Sequence, residues 1–262
     1  MSALVRSRRG AWFILSAVAA GVLVLVTMLS MSRAAEPSRA CRGSLIPAYV
    51  SPAALVGVLD APQVPRLLII NPASGPGTEP HPPYREAVEA AHDRGARVLG
   101  YVPTSYGARD AAAVEADIDR YRSWYGVDGI FLDEAAHDPG QLPYYRALSR
   151  HARGGGKALV ELNPGRVPDR RYFDVADVVV TFEGVAADYA AALQHTPAWV
   201  RDLPLGRIAH LLYGASREQA LAAAKAPAAA GWLYVTSGTL PNPWETLPDF
   251  LNDQEAALKR CS

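Results

Sequence analysis

The sequence predicts a (β/α)8 barrel in a single domain, and three observations point there. From Leu45 onward, short apolar runs alternate with amphipathic stretches, and eight such strand-then-helix units fit into about 220 residues. The runs are almost continuously apolar, as parallel strands covered on both faces are. A doubly wound open sheet is the competing arrangement, but no G-x-G-x-x-G follows the first run and there is no Walker sequence.

The strands are expected at Leu45–Val50, Arg66–Asn71, Arg97–Val102, Gly129–Asp133, Ala158–Asn163, Asp177–Phe182, Ile208–Tyr213 and Trp232–Thr236. Each is rich in β-branched or aromatic residues, with Gly or Pro close behind. Helical spacing places Tyr84, Ala87, Val88 and Ala91 on one face of a helix over Tyr84–Arg94. Val114, Ile118, Tyr121 and Tyr125 do the same over Ala111–Tyr125, behind Asp110 as N-cap. Ser216 and Gln219 form a capping box ahead of Ala220–Lys225, and Leu247, Phe250, Leu251 and Leu258 mark a helix over Thr246–Lys259. The segments after Pro52, Leu142, Pro168 and Val185 are expected to be helical for a turn or more.

Residues 1–35 stand apart from this pattern. Arg6, Arg8 and Arg9 precede a run without charge from Gly10 to Ser32. That run exceeds the ~7–15 residues of an ordinary signal core and approaches the ~20 that span a bilayer. It is expected to act as an export signal or an N-terminal anchor, with the domain outside the cytoplasm. Membrane association is expected only through this segment. A short linker is expected over 36–44 and the barrel over 45–262. Cys41 and Cys261 bracket the domain, and in an oxidising compartment they are expected to form a disulfide.

Charge excludes other classes. Twenty-six basic residues balance 26 acidic ones, so a nucleic-acid partner held by basic excess is not expected. The leader holds four Arg and no acid, which leaves a mildly acidic domain with 22 basic and 26 acidic residues. No cofactor is expected, because the six His residues are dispersed and only His210 falls on a strand, where a hydrogen-bonded core role fits it. A monomer is expected.

Chemistry in such barrels sits at the C-terminal strand ends. There the sequence places Tyr49, Asn71, Tyr101, Asp133-Glu134, Glu161, Asn163, Glu183, Tyr213 and Thr236. Paired carboxylates among aromatics suit glycoside cleavage, which needs one carboxyl as acid and another as nucleophile or base. Strands four and six are about 10 Å apart, so inward-leaning Asp133 and Glu183 can reach the ~5–9 Å spacing that glycosidases use. Adjacent Asp133 and Glu134 point to opposite sides of a regular strand. A single acid at a strand end also serves as a helix N-cap or loop salt bridge, and Glu161 fits that role.

Several strings resemble the spherulin-4-like family, glycoside hydrolase family 135. They are Ile46-Pro47-Ala48-Tyr49, Ile70-Asn71-Pro72-Ala73-Ser74-Gly75-Pro76-Gly77, Gly100-Tyr101-Val102-Pro103-Thr104-Ser105-Tyr106-Gly107, Val114-Glu115-Ala116-Asp117-Ile118, Val127 to Glu134, Asn163-Pro164-Gly165 and Thr181-Phe182-Glu183. The resemblance implies a (β/α)8 fold and endo-cleavage of a galactosamine-containing exopolysaccharide. It implies Asp133 as nucleophile, Glu183 as acid/base and Glu134 as a residue that positions substrate or tunes the pair. Tyr49, Tyr101, Tyr106 and Trp232 then offer faces to sugar rings, and Asn71 and Asn163 offer hydrogen bonds. Two alternatives stay open: a non-catalytic polysaccharide-binding or envelope protein on the same barrel, and a hydrolase of another polymer such as peptidoglycan.

Overall fold

A computed structural model of the chain describes residues 42–59, 66–154 and 156–258. The leader, most of the linker, Cys41 and Cys261 lie outside the described residues, and so do the expectations that rest on them. Among the described residues, no helix is long and apolar enough to cross a membrane.

Eight parallel strands follow one another around the sheet in sequence order. They are β1 (Ser44–Ala48), β2 (Arg66–Ile70), β3 (Arg97–Pro103), β4 (Gly129–Asp133), β5 (Leu159–Leu162), β6 (Val178–Val185), β7 (Ile208–Tyr213) and β8 (Trp232–Val235). The ring closes below β1, where Gly43 pairs with Trp232. The Gly43 N–H donates to the Gly231 carbonyl at 2.7 Å, and the Leu233 N–H donates to the Gly43 carbonyl at 3.0 Å. Residues 43 and 44, expected in the linker, therefore belong to the barrel. β1 and β2 are buried at every position, the burial that parallel strands between a filled interior and a helix layer acquire.

Helices cover the outside: α1 (Pro52–Val58), α2 (Pro82–Asp93), α3 (Ala111–Arg120), α4 (Leu142–Arg153), α5 (Tyr189–Gln194), α6 (Ala198–Arg201), α7 (Arg217–Lys225) and α8 (Leu251–Leu258). The segment after Pro168 makes a 3-10 turn at Arg170–Asp174. Their starts follow from side chains that satisfy free N–H groups. Ser51 accepts from Ala54, Asp110 accepts from Ala113, and Ser216 and Gln219 form a reciprocal capping box.

Two helices depart from the sequence pattern. The stretch expected as one helix over Ala111–Tyr125 is α-helical only to Arg120 and then widens into a π-helical turn over Tyr121–Tyr125. The wider turn lets two bulky rings go inward, with the Tyr121 hydroxyl donating to Ile70 O and the Tyr125 hydroxyl to Pro76 O. The helix expected from Thr246 begins at Leu251, because Pro248 disfavours helical backbone at Leu247.

The end of the barrel opposite the strand C-termini is tied by charge and by backbone. Arg66, at the start of β2, pairs with buried Glu255 of α8 and donates to Val58 O at 3.0 Å. Buried Arg42 donates to the carbonyls of Ala224 and Ala230 at 3.0 and 3.2 Å, closing the C-terminal end of α7.

Gly100 in β3 lies under the Tyr121 ring, and a Cβ there would fall 2.4 Å from a ring carbon. Gly100→Ala is expected to destabilise the fold by about 1–3 kcal/mol through overpacking. Urea unfolding measures this, and an unchanged midpoint would show that the ring moves aside freely.

Candidate active site

The C-terminal strand ends gather two carboxylates around one amide. Asp133 closes β4, Asn163 follows β5 directly, and Glu183 lies in the upper half of β6. Asn163 Nδ2 donates to Asp133 Oδ1 at 2.7 Å and to Glu183 Oε2 at 2.5 Å. Both carboxylate oxygens sit on one nitrogen, so they stand no more than about 5 Å apart, a spacing at which a nucleophile and an acid/base work as a pair. Asn163 is itself fixed, since its Oδ1 accepts from the Gly165 N–H at 3.0 Å. The Gly165 carbonyl in turn accepts from the Glu183 N–H at 3.0 Å. Glu183 is thus held to the same short turn through its side chain and its backbone.

Strand alternation alone would not bring Glu183 here. On β6, Val180 pairs with Ala209 and Phe182 with His210, which leaves Thr181 as an extra residue. This β-bulge shifts the alternation by one, so that Glu183 pairs with Leu211 and turns into the barrel mouth. Phe182 goes to the helix side, where it packs against Tyr189 of α5 at 5.1 Å between ring centroids.

The surroundings differ between the two acids. Burial raises the Asp133 carboxyl above its usual range, against donors from the Glu134 backbone, Tyr101 and Asn163. Burial and the facing Asp133 charge push Glu183 up to about 7, against donors from Asn163 and the Trp244 indole. Asp133 therefore has the better support for a negative charge, and Glu183 keeps a proton near neutral pH. Tyr49 and Tyr101 stand edge to face at 5.3 Å beside them, and burial together with Asp133 raises both phenols.

The other expected residues fall in different places. Glu134 follows Asp133 with a left-handed backbone, φ 49°, which bends the chain out of the strand and keeps its charge within reach of Asp133 and Tyr101. Ser105 and Tyr106 are also left-handed, and the Tyr106 N–H donates to Glu134 O at 2.6 Å. This strap presents the Tyr106 ring 63 % exposed at the rim. Asn71 spends its Oδ1 inside its own turn, accepting from Gly75 N at 2.8 Å.

Trp232 corrects the expectation that it faces a sugar. It begins β8, at the opposite end of the strand from the carboxylates, and its indole donates to Gly206 O at 2.9 Å. Four residues of strand, roughly 13 Å, separate the two ends. Glu161 is also not the cap or salt bridge expected of it. It lies two residues before Asn163, on the same face of the strand, is 1 % exposed, and neither oxygen has a hydrogen-bond partner. Burial pushes its carboxyl well above the ordinary range, so it stays protonated.

Trp244 was not anticipated. It sits in the Pro-rich segment after β8, 7 % exposed, between the rings of Tyr213 and Tyr234 at 6.1 and 6.0 Å. The one available signal was a large aromatic in the eighth strand-to-helix loop, which belongs to the functional face of a barrel.

The sequence profile of the spherulation-specific family 4 matches residues 45–258. The chain belongs to this family. It is 32% identical over 265 residues to Spherulin-4 of Physarum polycephalum, covering 94% of this chain and 76% of that protein. Among solved structures it resembles Sph3 of Aspergillus clavatus, crystallised in complex with GalNAc. The TM-score is 0.70 and the identity 23%, over 86% of this chain and 99% of that one. A GH18 chitinase from Pseudoalteromonas aurantia shares the fold at a TM-score of 0.54 and 11% identity, over 84% of this chain and 100% of that one. The spherulation-specific family 4 barrel is therefore the fold of this chain, as the alternating runs predict.

The raised Glu183 carries a stability consequence. Its proton is held more tightly in the folded state (about 7) than in the unfolded chain (4.5), so folding is favoured at low pH and penalised as pH rises through that window. Glu183→Gln is expected to match wild type in thermal stability below pH 4.5 and to exceed it above pH 7. Parallel melting curves would show instead that Glu183 titrates normally.

Proposed function

We propose that this protein is a glycoside hydrolase that cleaves an aminosugar-containing polysaccharide by double displacement. The observation that carries the reading is the pair of carboxylates bridged by one amide, with unequal support for charge. Protonated Glu183 gives its proton to the glycosidic oxygen as the bond to the anomeric carbon breaks. Ionised Asp133 attacks that carbon and forms a glycosyl ester. Glu183, now a carboxylate, takes a proton from water, and that water displaces Asp133. The close spacing favours this course over direct displacement, which needs room for a water between carboxyls ~6.5–9.5 Å apart.

Three further features support the substrate class. Tyr49, Tyr101 and exposed Tyr106 line one side of the mouth, and tyrosine rings suit the apolar faces of sugars. The two acids draw a cationic amine toward the site. Sph3, a barrel of the same fold, is known in complex with GalNAc. The charge-free leader behind three arginines is the reason for assigning the enzyme outside the cytoplasm. Cell fractionation tests that assignment, and recovery of the protein from the cytoplasm alone would overturn it.

Asp133→Asn and Glu183→Gln are each expected to lower kcat on galactosamine-rich exopolysaccharide by about 10²–10⁴-fold. Proton NMR of the first products should show the anomeric configuration of the substrate retained. Inverted products would remove the double displacement. Glycan binding without new reducing ends from wild type would favour a binding protein. For wild type, the alkaline limb of the kcat–pH profile is expected near pH 7, where Glu183 loses its proton.

A further inference from the structure

Behind the β6 bulge, on the helix side of the sheet, lies a buried polar cluster that the proposed reaction does not touch. His210 of β7 is 4 % exposed. Its Nε2 is 2.9 Å from Thr181 Oγ1, and its Nδ1 is 2.8 Å from the Tyr189 hydroxyl of α5. Thr181 is the residue that β6 carries in excess over β7. The Phe182 ring closes over the cluster, 6.2 Å from the His210 ring. Burial and the neighbouring Arg42 charge hold His210 down to about 3, so the ring is neutral, with one donor and one acceptor for the two hydroxyls.

This position does not need polar groups for packing. Three apolar side chains of similar volume would fill the layer without the cost of removing polar atoms from water. What the cluster adds is a fixed register: His210 takes the Thr181 hydroxyl and, at 6.2 Å, the ring of the next residue, Phe182, and two consecutive residues on one face of a strand are the bulge itself. The other flank of the bulge is tied to Gly165 through the Glu183 N–H.

We infer that His210 is a positioning residue, which holds Thr181 and Phe182 together on the helix side of β6 and so keeps Glu183 in the barrel mouth. The inference rests on the reading of Glu183 as the acid/base. The groups that face Glu183 in that place are Asp133 of β4, Tyr49 beyond β1, Tyr101 of β3, Asn163 beyond β5 and Trp244.

Thr181→Val keeps the volume and removes the hydroxyl, Thr181→Ser restores it, and Tyr189→Phe removes the second partner of His210. With the full chain on galactosamine-rich exopolysaccharide, Thr181→Val is expected to lose about tenfold or more in kcat, with KM within about twofold. Thr181→Ser should stay within about twofold of wild type, and Tyr189→Phe should fall between. A second readout needs no turnover: carbon NMR of labelled glutamate carboxyls, with Glu183 assigned through Glu183→Gln. Its titration should move from about 7 toward the ordinary carboxylate range in Thr181→Val, as the group leaves Asp133. A Thr181→Val protein that melts earlier but keeps wild-type kcat and Glu183 titration would overturn the inference. If wild type cleaves no glycan yet Thr181→Val still moves the Glu183 titration, the positioning stands and the reaction assigned to Glu183 falls.

Discussion

One side-chain amide organises the functional end of this barrel. Asn163 has two N–H groups, and each goes to a different carboxylate. Two carboxylates a few ångströms apart in a half-buried mouth repel each other, and the amide offsets part of that cost while fixing their separation. The remaining repulsion is expressed as the proton that Glu183 keeps. The rest of the site follows from it: the Gly165 turn that fixes Asn163, the bulge that turns Glu183 inward, and the tyrosine and indole donors that divide the charge unequally.

The two ends of the barrel are built on different terms. At the N-terminal end of the strands, Arg66 meets Glu255, Arg42 closes α7, and the Trp232 indole donates to Gly206, so these charged and indole groups are satisfied. At the C-terminal end, Ser74, Ser105, Tyr106 and Glu134 all hold left-handed backbone without being glycine. Each such residue costs about 1–3 kcal/mol, a cost that persists only where the surrounding structure enforces it. Glu161 adds a buried acid with no partner beneath the site. The stability that supports this mouth comes from the other end and from the apolar interior.

The strands were legible in the sequence because parallel strands buried on both faces leave unbroken apolar runs. Every expected run became a strand, with ends displaced by only a few residues. Helix ends were less legible where local chemistry competed with periodicity, as at Pro248 and at the paired rings of Tyr121 and Tyr125. Asp133 and Glu183 were legible as acids near strand ends, but the direction of Glu183 was not, because a bulge is one residue of pairing register and leaves no mark in hydrophobicity. Trp232 was misjudged by the length of a strand: the eighth run begins with it rather than ending on it. Trp244 escaped because it lies outside any periodic element.

The bulge in β6 also bears on how such barrels diverge. The direction of Glu183 depends on how the residues between Val180 and Glu183 pair with β7 as much as on their identity. Pairing Thr181 directly with His210, without the bulge, would restore the alternation, turn the glutamate toward the helices, and leave Asp133 alone beside Asn163. The chain would keep its acids, its strands and its aromatic rings, and would lose the proton donor that the proposed reaction needs. The reaction proposed for such a barrel can thus be lost through one residue of pairing register, with every acid still present in the sequence.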